Sequence, residues 1–261
     1  MILRDLALGR AIDAPVALVV AHPDDETLGT GARMSCLRQL VLIHLTDGAP
    51  RLPGEPDDSA RRGAVAAERM REVDGSLDVL GARPQRRIAY GWPDQESIRH
   101  LPEIVAALRR DLEGVAAVLT HAYEHGHPDH DTAALAVHVA CNDPDGRARP
   151  QVIEFPSYHL GANGARFGQF WRDPGRREWL ATLDVRERAR KARALACFAS
   201  QRDMLRNFPV DVERFRRAPA YDFSQPAPPP AAWYDARQWP IDSRAWRNLA
   251  RESLARTEQP A

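Results

Sequence analysis

Val16-Ala17-Leu18-Val19-Val20-Ala21-His22-Pro23-Asp24-Asp25-Glu26 is the stretch around which the chain is organised. Val16–Ala21 is an uncharged apolar run that stops at an imidazole and then, after one proline, meets three consecutive acids. Such a run fits a strand covered on both faces, as in the interior of a parallel sheet. The polar cluster then falls at the strand's carboxyl end, where open α/β sheets place their ligands. His22 and Asp25 stand three residues apart with Asp24 between them. They can converge on one metal ion while the remaining acid stays free for proton transfer. Far downstream, His127-Pro128-Asp129-His130 offers a second pair of imidazoles.

Outward from this stretch, apolar strands and periodic helices alternate. Thr27–Leu40 reads as a helix, Leu40–Leu45 as a second strand, and Thr46-Asp47-Gly48 as a polar turn. Pro50–Ser59 reads as a loop and Ala60–Leu80 as a long helix, weak at Gly75 and stopped by Gly81. Arg87–Tyr90 is a short third strand, with Gly91–Asp94 as a loop. Ser97–Leu112 is helical, with Pro102 tolerated near its start. Val115–Thr120, a fourth strand, leads straight into His121–His130. A helix over Asp131–Ala140, a loop over Asn142–Pro150 and a fifth strand over Gln151–Phe155 follow. The fold class is α/β: a Rossmann-like parallel sheet of at least five strands flanked by helices. Doubly wound topology makes strands one and four neighbours, so the two histidine motifs should face each other across one crevice.

The last hundred residues differ. Asp184–Arg202 reads as an arginine-rich amphipathic helix, and Ala218–Pro230, with Pro228-Pro229-Pro230, as an extended segment. Trp233, Tyr234, Trp239 and Trp246 follow, more aromatics than a free disordered tail holds. Residues 1–261 are therefore expected to form one domain, with a core over about 15–160 and a packed C-terminal extension over 161–261.

Lys+Arg and Asp+Glu balance at 36 each, so bulk charge offers no case for nucleic acid or an anionic membrane. Lys191 is the sole lysine, which excludes a lysine-bearing phosphate loop; a Schiff-base lysine would have to be this residue, in a charged helical run. Gly29-x-Gly31 resembles a dinucleotide fingerprint, but a pyrophosphate there would meet Asp24, Asp25 and Glu26. Cys36, Cys141 and Cys197 read as small buried hydrophobes in a reducing compartment. Met1–Pro15 lacks a clean signal-peptide core, and no apolar stretch approaches the ~20 residues needed to span a bilayer. Cytoplasmic localisation is the expectation.

Two imidazoles and a carboxylate form a ligand set suited to zinc with an open position for water. Pro23 and Pro128 bias the preceding histidines towards extended backbone, aiming their rings into the crevice. Isolated histidines are more often structural, and His44, His100 and His138 are read so. The bland alternatives are helix caps: Asp24 or Asp25 on the helix after the first motif, Asp129 or Asp131 on the helix after the second.

Ala21–Glu26, Thr46-Asp47-Gly48 and Gly126-His127-Pro128-Asp129-His130 together resemble the LmbE-like/PIG-L family of zinc-dependent N-acetylglucosaminyl deacetylases, over roughly Pro15 to Pro156. The resemblance implies zinc, or another divalent cation, on His22, Asp25 and His130, with Asp24 as general base and His127 as the cation that stabilises the oxyanion. It implies substrate contacts at Arg69 with Glu72, and at Asp94. The mycothiol branch carries a tyrosine two residues before the first histidine of the second motif. Here that position is His125, with Tyr123 nearby, and either is expected to substitute. The implied reaction is hydrolysis of an acetamide on an amino-sugar conjugate, glycolipid or glycopeptide by zinc-activated water. The rivals are hydrolysis of other amides or esters, a sugar-binding protein without turnover and, more distantly, a dinucleotide-dependent oxidoreductase.

Overall fold

A computed structural model describes residues 1–56, 59–142, 150–227, 231–237 and 239–257. Most of the expected loop at 142–150 and the triple proline at 228–230 lie outside the described residues. The first part of the chain runs α1 (Ile2–Ala7), β1 (Ile12–Val20), α2 (Asp25–Met34), β2 (Leu37–Pro50), α3 (Ala60–Leu80), β3 (Arg86–Asp94), α4 (Leu101–Asp111), β4 (Ala117–His121), α5 (Pro128–Cys141) and β5 (Gln151–Phe155). A hairpin of β6 (Tyr158–Gly161) and β7 (Gly164–Phe167) follows, then β8 (Trp179–Thr182), α6 (Val185–Leu195), α7 (Arg202–Leu205), β9 (Val212–Arg217), α8 (Trp233–Ala236) and α9 (Ser243–Thr257).

The main sheet has the order β3-β2-β1-β4-β5-β9-β8. Its first five strands are parallel, and β9 and β8 extend it in antiparallel sense beyond β5. Val16–Val20 is fully buried, as an uncharged run between two parallel neighbours requires. One face of the sheet packs on α4, α5 and α9 through Leu101, Ile104, Leu135 and Trp246. The other packs on α1, α2, α3 and α6 through Leu6, Met34, Val73, Leu77 and Ala194. β1 and β4 are adjacent and parallel, with Val16 opposite Ala117 and Leu18 opposite Leu119. The loops that leave their carboxyl ends therefore share one edge of the sheet.

Several boundaries differ from the sequence expectation. The first helix ends at Met34, because Leu37–Leu40 already pairs in β2. Thr46–Gly48 is not a turn: β2 runs on to Pro50, with an irregular register against β3 and Gly48 at φ 66°. Gly91–Asp94 likewise belongs to β3. Gly75 does not interrupt α3, which Ser59 caps by accepting from the Arg62 N–H and Gly81 ends in the left-handed conformation. Ser97–His100 is a 3-10 turn that precedes α4, and α5 begins at Pro128, earlier than expected. The helix after Asp184 stops at Leu195; a capping box between Asp184 and Glu187 starts it.

Lys191, in that charged helix, points inward: its ammonium bonds Glu213 at 2.7 Å and the Leu28 carbonyl at 2.8 Å. Of the three free thiols only Cys141 is buried; Cys36 and Cys197 are half-buried.

Candidate metal and substrate site

The strand-end loops bring the two histidine motifs together. His22 and His130 have ring centroids 5.2 Å apart, and His22 and His127 4.4 Å. Asp25 lies between them: its Oδ2 is 3.2 Å from His22 Nδ1 and its Oδ1 3.2 Å from His130 Nε2. Ligand atoms of His22, Asp25 and His130 all lie within 4.8 Å of one another, and all three residues are buried. His22, Asp94, His127 and Asp129 form a second convergent set at the same limit.

The donors suit a divalent cation. Asp24, Asp25, Glu26 and Asp129 are all buried, and such a concentration of carboxylates is costly without positive charge. His130 Nδ1 is buried with no hydrogen-bond partner among the described residues. Burial pulls Asp25 up, but the imidazoles of His130 and His121 more than offset it and hold the carboxyl well below the usual range. Burial pulls His22 down, yet Asp94, Asp129 and Asp25 hold its imidazole well above the usual value. The cluster thus attracts positive charge to the point where a metal ligand would sit.

Asp24 occupies a strained position. Its backbone sits at φ 137°, in the region that favours glycine, and it is the N-cap residue of α2 without any side-chain cap bond. The capping alternative for Asp24 and Asp25 therefore fails: the Asp24 carboxylate turns into the site and accepts from Arg69 Nη2 at 2.8 Å. Burial pushes Asp24 up to about 8; Arg69 opposes this, and Asp25 adds to it. Glu26 acts as a latch, accepting from the Asp24 N–H and the Thr27 hydroxyl and pairing with His44 at 3.1 Å.

His127, not Asp129 or Asp131, caps α5, its Nδ1 accepting the Asp129 N–H at 3.1 Å. That bond leaves the ring proton on Nε2, which lies 3.4 Å from Asp94 Oδ1. Burial and the neighbouring His22 hold the His127 pKa well below its usual value. Asp129 instead meets His22 Nε2 at 3.2 Å and accepts from Gln95 N and from Ser97 N and Oγ. It fixes that ring from behind.

Of the expected substrate residues, Asp94 and Arg69 line a cavity of about 180 Å³ beside the cluster. Arg69 is already engaged with the carbonyls of Gly48 and Pro23 as well as Asp24. Gly48 is needed there, because a Cβ at this position would lie 2.7 Å from Arg69 Nη1. Glu72 turns away to Ser200, accepting from its N–H and hydroxyl.

His125 and Tyr123 do not reach the cavity. His125 Nε2 accepts from Ala227 N at 2.9 Å and its Nδ1 meets Asp131 at 2.9 Å. The Tyr123 hydroxyl donates to the Gln225 carbonyl, with its ring against Trp246. Tyr158 lines the cavity instead, 5.5 Å from the His130 ring, with no hydrogen bond to its hydroxyl among the described residues. Sequence reasoning left Tyr158 without a role, although its place just beyond a parallel strand's carboxyl end was a signal. His121, also overlooked, stacks on His130 at 4.1 Å. It accepts from Ala21 N at 3.1 Å and meets the Ser157 hydroxyl at 2.8 Å.

The fold is a doubly wound α/β sheet with a buried His/Asp cluster, able to hold a metal ion, at its switch point. Residues 17–141 match the model of the PIG-L family, described as GlcNAc-PI de-N-acetylase. The chain is similar to this family over that segment, which is just under half of its length. It is 25% identical over 197 residues to a 1D-myo-inositol 2-acetamido-2-deoxy-alpha-D-glucopyranoside deacetylase of Corynebacterium urealyticum, an alignment covering 60% of this chain and 59% of that protein. The chain thus spans less than two thirds of this curated relative's length. Its fold is similar to the zinc-inhibited form of teicoplanin deacetylase Orf2, with TM-score 0.54, 14% identity and coverage of 78% of this chain and 97% of that one. It is also similar to the A40926 pseudoaglycone deacetylase Dbv21, with TM-score 0.55, 19% identity and coverage of 80% and 100%. No helix among the described residues is long and apolar enough to cross a membrane.

Proposed function

We propose that this chain, acting as one unit over residues 1–261, is a zinc-dependent amidohydrolase that removes the acyl group from an N-acylated amino sugar. The observation that carries the reading is the convergence of His22, Asp25 and His130 within 4.8 Å beside the buried carboxyl of Asp24, which Arg69 Nη2 meets at 2.8 Å. His22, Asp25 and His130 would hold the ion. A divalent cation in such a set supplies Lewis acidity, lowering the pKa of water and polarising a carbonyl.

The chain's own residues do the rest. Asp24, raised to about 8 and steered by Arg69, takes a proton from the attacking water and returns it to the departing amine nitrogen. His127, which lines the cavity with its Nε2 3.4 Å from Asp94 Oδ1, would supply a donor for the developing oxyanion. Asp94, at the cavity wall, is suited to accept sugar hydroxyls. The family and the deacetylase relatives support an N-acetylated sugar conjugate, whether a small conjugate, a glycolipid or a glycopeptide. Free thiols at Cys36, Cys141 and Cys197 favour the cytoplasm as the working compartment.

The test is acetate release from N-acetylglucosamine conjugates by zinc-loaded protein, with and without chelator. Chelator-sensitive release supports the reading; metal bound with no amide hydrolysed contradicts it and favours the sugar-binding alternative.

A further inference from the structure

The cavity beside the metal-capable cluster has two chemically distinct walls. One is polar: Asp24 accepts from Arg69 at 2.8 Å, Asp94 meets His22 Nε2 at 3.1 Å, and Gln95 lies beside them with its backbone N–H on Asp129. The other is apolar, built from Leu28, Tyr158, Met204, Phe208 and Trp239. These five belong to one hydrophobic cluster that also includes Trp233 and Phe167. Gln201 is the one polar side chain contributed by the α7 side. Both walls adjoin the cluster: Asp94 lies 3.1 Å from His22 Nε2 on the polar side, and on the apolar side Tyr158 lies 5.5 Å from the His130 ring and Trp239 4.6 Å from that of His127. Most of the apolar wall comes from residues beyond 141, outside the segment matched by the family model.

An amide held at the cluster has two arms. The arm on nitrogen carries the sugar, whose hydroxyls need hydrogen-bonding partners and would leave them unsatisfied against leucine, methionine and phenylalanine. It must face Asp94, Gln95 and Arg69. The arm on the carbonyl carbon then runs along Leu28, Tyr158, Met204 and Phe208. An acetyl methyl would cover little of that surface, whereas a longer chain removes it from water.

We propose that this apolar wall is an acyl pocket and that the preferred substrate carries an N-acyl chain longer than acetyl, in the butanoyl-to-hexanoyl range. The inference rests on the amidohydrolase reading for its orientation. The reaction is the same hydrolysis: the C–N bond breaks, water supplies the hydroxyl to the carboxylic acid, and the amine takes the proton.

The experiment compares N-acetyl-, N-butanoyl- and N-hexanoylglucosamine with zinc-loaded protein, following glucosamine release. Burial of one methylene corresponds to about a fourfold gain, so kcat/KM should climb by about that factor per carbon. Met204→Trp, which fills the pocket, should reverse the order. In parallel, the acetyl and hexanoyl amides are titrated against metal-stripped protein by tryptophan fluorescence, where hexanoyl should bind more tightly. Acetyl hydrolysed best, with equal binding of the two amides, would overturn the acyl pocket and leave the deacetylase reading standing. Tighter binding of hexanoyl with no turnover of any amide would sustain the pocket and overturn the hydrolase.

Discussion

Asp24 is an acid on a backbone that suits glycine, and it is the residue on which chemistry and stability are most directly opposed. Asp24→Asn keeps the shape and a partner for Arg69 but removes the proton acceptor. Metal content should stay stoichiometric while kcat falls by about 10²- to 10⁴-fold, the usual contribution of a general base. Replacing His130 by alanine should have the opposite signature, with zinc lost on dialysis against a weak chelator. Retention of full metal occupancy would contradict that ligand assignment.

His121 gives a pH prediction. Burial, with the neighbouring His130, lowers it from 6.5 to about 4, and its acceptance of the Ala21 N–H requires a neutral ring. Between pH 6.5 and about 4 the unfolded chain binds a proton here and the folded chain does not. The stability this group contributes is present above pH 6.5 and is lost as pH falls through that window, to about 3 kcal/mol. Urea unfolding of metal-stripped protein at pH 7.5 and 4.5 should show the loss, and His121→Gln should flatten it. Identical slopes for the two proteins would refute the assignment.

Among the elements, α2 and β5 meet with no room to spare. A Cβ on Gly29 would lie 2.3 Å from Phe155 Cδ2, so Gly29→Ala should destabilise by about 1–3 kcal/mol, read as a lower urea midpoint. This glycine serves close packing, where its spacing from Gly31 suggested a nucleotide loop. The five parallel strands were legible because each is an uncharged or alternating run with a turn signal beside it. β8 and β9 were not: Trp179–Thr182 is short, and Val212–Arg217 carries three arginines and a glutamate. Pairing with β5 redeems that composition, since Arg216 meets the buried Glu154 directly across the register. Only the tertiary partner explains such a strand.

The same limit applies to His125. Its left-handed backbone at φ 55° is held by the C-terminal segment, through Trp233 N to its carbonyl at 2.8 Å and Tyr234 to its ring. Tyr234→Phe removes the hydroxyl that also reaches Asp131 at 3.0 Å. The expected cost is about 1–3 kcal/mol, with a loosened second motif visible as weaker zinc affinity.

For the molecule as a whole, a cation held at the buried acidic cluster would couple stability to metal. Chelation should lower Tm by several degrees, and zinc at a hundredfold excess over Kd should return about 2.7 kcal/mol. A Tm indifferent to both would argue against a metal at this cluster. The meeting of the two motifs was legible because topology alone makes strands one and four neighbours. The cavity's chemistry was not, because Tyr158, Met204 with Phe208, and Trp239 come from three separate segments whose positions no local pattern encodes.

The placement of α1 bears on how the chain is made. Leu3 and Leu6 pack in the same core as Ala181 of β8 and Phe215 of β9. During vectorial synthesis this helix emerges before β8 and β9, so this part of its seat forms only after they have followed it out. The parallel strands can assemble ahead of it, while the outer edge of β5 stays bare until β9 arrives. Exposed strand edges at that stage invite pairing between nascent chains, so slow elongation beyond β5 is the point at which misassembly should concentrate.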